Sequence, residues 1–151
     1  RLFFEFENYD EAFEHLNKSR KIREEIDEVK LVETLLSVCD IYIKLKDLEN
    51  SNKVLNEIYE HIENCKDKLL VEYYILKYRV LCLQGDWYNA ESTLNEALSY
   101  ASSKGYNKEQ AEISIMLGKF YVDNGKGKEA AEFLSRGIQV FKSIGVFKDF
   151  E

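Results

Sequence analysis

His61 and Cys65 stand four residues apart, a spacing that sets two metal-ligating side chains on one face of a helix. Two ligands do not close a site, and when the chain is aligned with itself His61 shares its column with Ile22, Tyr100 and Val140. The pair therefore reads as a packed His and Cys. Gly125-Lys126-Gly127-Lys128 has the residue types of a phosphate-binding loop. Such a loop needs a preceding strand, a longer glycine spacing and Ser or Thr after the lysine, so this segment reads as a turn between helices. Arg23-Glu24-Glu25-Ile26-Asp27-Glu28 is rich in the carboxylates of acid–base catalysis. No apolar pocket is in view to raise their pKa, and such a run reads as a solvated helix face. No serine, cysteine or histidine falls into a nucleophile arrangement. The residues point away from an enzyme, and neither a cofactor nor a metal is expected.

The elements that carry these residues are helices. The chain has no proline, and none of its glycines precedes Gly85, which leaves little to punctuate many short strands. Apolar residues make up 45% and charged residues 32% of it, a globular balance. A net charge of −7 argues against a nucleic-acid surface, which needs clustered Lys and Arg, and against an anionic membrane face. No apolar run approaches the roughly 18 residues of a spanning helix. Cys39, Cys65 and Cys82 cannot all pair within one chain, and each sits in an apolar helical pattern. Free, buried thiols fit a reducing cytoplasm.

Sliding the chain along itself by 39, 39 and 40 residues aligns Ala12, Ser51, Ala90 and Ala130, all small. Four residues after each anchor stand Leu16, Leu55, Leu94 and Leu134, and nine before stand Phe3, Tyr42, Leu81 and Tyr121. Within a unit the apolar residues recur with the helical period: Ala111, Ile115, Gly118 and Val122 share a stripe, then Asn124-Gly125-Lys126-Gly127 breaks it before a second helix. Asn8, Asp47 and Asp86 lie four before the anchors, where each caps a second helix, and Asn8 with Glu11 and Asn107 with Gln110 have the form of capping boxes. The small anchor lets two helices approach closely, and since no hairpin buries both faces alone, neighbours must stack.

The run Met116-Leu117-Gly118-Lys119-Phe120-Tyr121, continued through Gly125 to Ala130 and Leu134, resembles a tetratricopeptide repeat, and Gln84-Gly85-Asp86-Trp87-Tyr88-Asn89-Ala90 matches its turn and anchor again. Glu7 and Lys46 stand where the turn glycine is expected, and Ser51 replaces an anchor alanine. The period exceeds the usual 34 residues of that family. Long-period arrays of this kind occur in kinesin light chains, bacterial peptide-sensing regulators and the tails of large signalling ATPases. The resemblance implies an all-α, right-handed superhelical stack of antiparallel hairpins, seven or eight helices in all. One domain over 1–151 is expected, with a partial repeat at 1–27, repeats at 28–66, 67–105 and 106–145, and a further helix beginning at 146–151. Apolar residues at both ends read as a segment of a longer protein.

In that family the first helix of each hairpin lines the concave surface. Carried over by column, this implies an outer acidic row of Glu33, Glu72 and Glu112, an aliphatic floor of Leu36, Ile75 and Ile115, then Asp40, Arg79 and Lys119, followed by Ile43, Cys82 and Val122. An apolar floor edged by charge suits an amphipathic helix or an extended peptide. Leu36, Asp40, Ile75 and Ile115 cannot make the clamp with which some members grip a terminal carboxylate, though Arg79 and Lys119 could hold an isolated one. The expected function is a protein- or peptide-binding arm of a larger cytoplasmic regulatory protein, with no nucleic acid or membrane among its partners. The alternative is a self-assembly segment that joins copies of the chain, as a homodimer through exposed terminal helices.

Overall fold

A computed structural model describes residues 9–65 and 67–144, with side chains from residue 14 onward. They form α1 (Tyr9–Lys44), α2 (Leu48–Ile62), α3 (Lys68–Gln84), α4 (Trp87–Lys104), α5 (Asn107–Asp123) and α6 (Gly127–Ser143), with no strand among the described residues. The protein is all-α. Consecutive helices pack as three hairpins, α1 with α2, α3 with α4, and α5 with α6, and each hairpin stacks on the next.

One turn is made three times. Asp47, Asp86 and Lys126 donate their amides to the carbonyls of Tyr42, Leu81 and Tyr121 at 2.9, 3.0 and 2.7 Å. The residue before each has a left-handed backbone: Lys46 at φ 58°, Gly85 at 76° and Gly125 at 73°. This is the closure that ends a helix by satisfying its last carbonyls. Asp47 and Asp86 then cap the next helix, their Oδ1 atoms accepting from the amides of Asn50 and Asn89 at 3.1 and 3.3 Å, while Lys126 makes no such bond. Gly125-Lys126 thus belongs to a helix–helix turn, and Gly127-Lys128 opens α6.

The anchors are in the interior. Ser51, Ala90 and Ala130 are buried, as are Leu55 and Leu94, and Leu134 is half-buried. In the first hairpin the Cys39 Sγ lies 3.8 Å from the carbonyl oxygen of Ser51. In the third, a Cβ on Gly118 would lie 3.3 Å from the carbonyl of Ala130 and 2.5 Å from Leu134 Cγ. The same two columns meet in both. Two apolar clusters result, one of α1, α2 and α3 around Cys39, Ile58 and Val80, the other of α3 to α6 around Leu94, Ile113 and Leu117, and Tyr74 packs against both.

Three expectations need correction. The boundary at residues 27 and 28 does not exist: α1 runs unbroken for 36 residues, so the described chain has six helices rather than seven or eight. Arg20 to Lys30 contains no glycine or proline and is dominated by strong helix formers, whereas the later inter-hairpin connections reverse at Asp67 and Gly105, both with positive φ. Asn107 is the first residue of α5 rather than its cap, and Gln110 turns its amide toward the Asn107 side chain and the Ala101 carbonyl. The columns through Phe3 and Asn8, and the helix expected from residue 146, lie outside the described residues.

Ala90→Leu should destabilise the protein by about 1–3 kcal/mol through overpacking, while Ser92→Leu, on the exposed side of α4, should leave thermal melting nearly unchanged. Lys46 is an exposed residue holding the left-handed position that its two counterparts give to glycine. Lys46→Gly should therefore stabilise by about 0.5–1 kcal/mol, measured by urea unfolding.

Candidate functional site: a groove on the odd-numbered helices

Two open cavities lie on the face made by α1, α3 and α5, and others lie at the α2–α3 connection and between α2 and α3. A cavity of about 360 Å³ opens between α1 and α3, lined by Glu33, Leu36, Ser37 and Asp40 from the first and Leu69, Glu72, Ile75 and Leu76 from the second. A second, of about 430 Å³, lies toward the C-terminal ends of the same helices. Ile43, Tyr78, Arg79, Cys82, Leu83 and Phe120 line it, with Trp87, Asp123 and Asn124 completing the wall. Both fall in the volume range of small-molecule or side-chain pockets.

An ion pair separates them. Arg79 Nη1 donates to Asp40 Oδ1 at 2.6 Å, and Lys44 Nζ stands 3.0 Å from Asp40 Oδ2. The two hydrogen bonds, Arg79's first, hold the Asp40 carboxyl below its usual range. Arg79 is thereby engaged within the protein and is not the free carboxylate-binding cation that the sequence suggested. Lys119 is exposed on α5 and lines neither cavity.

The aliphatic floor is only partly open. Leu36 belongs to the core at 5% exposure, although one side reaches the first cavity. Ile75 is half-buried and lines the cavity, while Ile115 lies over Gly137, its Cγ1 2.8 Å from where a Cβ there would stand. The row is therefore split, with Leu36 and Ile75 together and Ile115 turned into its own hairpin. Of the next row, Ile43 is buried, Cys82 half-buried and Val122 exposed.

The acidic row stands together. Burial first, then the charges of Glu33 and Glu112, raise the Glu72 carboxyl above its ordinary value. Its charged form is thus disfavoured in the folded protein, so Glu72 subtracts from stability as pH rises through its titration, and that loss is absent at acid pH.

Sequence reading passed over the aromatic wall of the second cavity. Tyr78 and Trp87 stand with ring centroids 6.2 and 6.3 Å from that of Phe120, and Trp87 and its neighbour Tyr88 are 50% and 84% exposed. The first and third hairpins put Cys39 and Gly118 in the column where the middle one has Tyr78. The available signal was Trp87-Tyr88 itself, two aromatics directly after a turn and a cap, where core packing asks for none.

His61 and Cys65 play a different part. His61 Nδ1 lies 3.1 Å from Glu28 Oε1, to which Asn64 Nδ2 also donates, tying α1 to the end of α2. The hydrogen bonds, from Asn64 and then His61, lower the Glu28 carboxyl, and Cys65 is buried. Among the described residues no three His, Cys, Asp or Glu gather as metal ligands, and no helix is long and apolar enough to cross a membrane.

The fold and this face define a class: an all-helical protein of stacked hairpins with a grooved side. No protein-family model matches the chain, and no curated protein matches it significantly. Among solved structures it is similar to BtubC (BKLC) from P. vanneervenii, with a TM-score of 0.68 and 18% identity over 84% of this chain. The match takes in 53% of that chain, so the present sequence spans about half its length. At that identity the likeness is one of fold.

The three thiols should differ in reactivity. Burial raises the Cys39 thiol to about 11 and raises those of Cys65 and Cys82 as well. Cys82 and Cys65 each line an open cavity, but Cys65 is buried and Cys82 only half-buried. Ellman's reagent should label Cys82 first, slowly at neutral pH and faster as pH rises, with Cys65 following and Cys39 reacting only on unfolding. Mass spectrometry of the labelled peptides gives the order.

Proposed function

We propose that the chain is a tetratricopeptide-type array whose α1/α3/α5 face binds a protein or peptide, as an interaction arm of a larger cytoplasmic regulatory protein. The observation that carries this reading is the pair of adjoining cavities along one face, floored by Leu36, Leu69 and Ile75 and walled by Tyr78, Phe120 and a half-exposed Trp87. Exposed aromatics beside apolar hollows are the usual anchors of recognition. The triple recurrence of one turn at spacings of 39 and 40 residues supports the repeat assignment. Hairpins related by such regular turns would wind into the right-handed superhelix of that family.

A second reading has its own support. Ile22 and Ile26, one turn apart on α1, are 60% and 49% exposed, and such a pair would suit contact with a second copy of the chain.

A displayed random-peptide library should separate the two. Peptides selected on the wild-type protein should lose at least about tenfold in affinity on Trp87→Ala or Ile75→Ala, the ordinary scale of an anchor truncation, with circular dichroism unchanged. Ile22→Asp with Ile26→Asp should leave their binding intact. Peptides indifferent to both groove substitutions would overturn the groove. A concentration-dependent dimer in light scattering, dispersed by the α1 substitutions, would favour self-assembly.

A further inference from the structure

Resting on that reading, we infer that the occupant of the groove is a cationic amphipathic peptide, with Lys or Arg set over Glu33 and Glu72 and a bulky apolar residue in the Trp87–Phe120 hollow. Four carboxylates line the two cavities, Glu33, Asp40, Glu72 and Asp123, against one cation, Arg79. Arg79 is already paired with Asp40, which Lys44 also contacts. Among the described residues Glu33, Glu72 and Glu112 make no ion pair, although five pairs of Lys or Arg with a carboxylate form elsewhere. An arriving cation would therefore meet like-charged groups with no competitor inside the protein.

Glu72 is also repelled by its neighbours in the row. Glu33 and Glu112 both add to the burial that makes ionisation of Glu72 unfavourable. A ligand ammonium or guanidinium relieves that repulsion on binding, whereas a ligand carboxylate deepens it. Apolar surface is interleaved with the charge: Leu69 and Ile75 lie beside Glu72 in the first cavity, and the rings of Tyr78, Trp87 and Phe120 enclose the second. A strongly charged but non-amphipathic chain would satisfy only half of this face. The chain's net charge of −7 adds a long-range attraction of the same sign. Lys119 is a further cation on this face, exposed on α5 but outside both cavities.

The test uses two labelled synthetic peptides, one of lysine and leucine carrying a single tryptophan, the other with glutamate at every lysine. Fluorescence anisotropy should show the lysine peptide binding and its affinity falling as salt is added, with the glutamate peptide at least about tenfold weaker. Glu33→Gln with Glu72→Gln and Glu112→Gln should weaken the lysine peptide by about tenfold, while Glu24→Gln with Glu25→Gln, on the exposed start of α1, should not. Bound lysine peptide should also protect Cys82 from Ellman's reagent. Equal binding of the two peptides, or equal loss on the two sets of Gln substitutions, would overturn the cationic preference yet leave a groove that protects Cys82. Failure of either peptide to protect Cys82 while the lysine peptide binds would overturn the groove itself.

Discussion

Two helices joined by a turn of two or three residues can run side by side only where one of them carries a small side chain at the point of closest approach. Here that point is the column of Ser51, Ala90 and Ala130, buried in every hairpin. The consequences spread outward. In the first and third hairpins Cys39 and Gly118 lie against the carbonyls of Ser51 and Ala130 at this approach. Because the helices are held close, the apolar residues on their outer flanks remain unburied until another hairpin covers them, and the core becomes two overlapping clusters hinged on α3. Stability in such a stack is a sum over neighbours.

The grooved face follows from the same constraint. The even-numbered helices are packed by their anchors against the odd-numbered ones, and Tyr78 occupies the column that is Cys or Gly in the flanking hairpins. Its ring stands instead with Phe120 and Trp87, at the hollow between hairpins. Charge is distributed in a comparable way. The Asp40–Arg79 pair bridges α1 and α3 and fixes their separation at one level, while one turn and two turns away the face carries aliphatic side chains and then uncompensated carboxylates.

Much of this was legible in the sequence because it depends on single residues at fixed spacing. The turn, the anchor and the helical period survive even Lys46, which takes up a left-handed backbone at φ 58°. A self-alignment cannot see whether a connection breaks. Asp27 occupies the column of Gly105, and without a residue that tolerates reversal the helix continued, merging a partial repeat into α1. Nor can a column state which way a side chain turns. Leu36, Ile75 and Ile115 are equivalent in sequence, yet Ile115 leans over Gly137, a gap that only the last hairpin provides. Arg79 was recognised as a groove residue, but its partner Asp40 lies 39 residues away and its engagement depends on how α1 and α3 stack.

Whether the α1/α3/α5 face is the binding surface is tested most directly by a backbone amide shift map of isotope-labelled protein. On titration with the lysine–leucine–tryptophan peptide, shifts should concentrate in residues 33–43 of α1, 69–83 of α3 and 120–124 at the end of α5, with Trp87 moving as well. Shifts concentrated on α2 and α6, or on residues 14–27 at the start of α1, would place the contact elsewhere and contradict the proposed face.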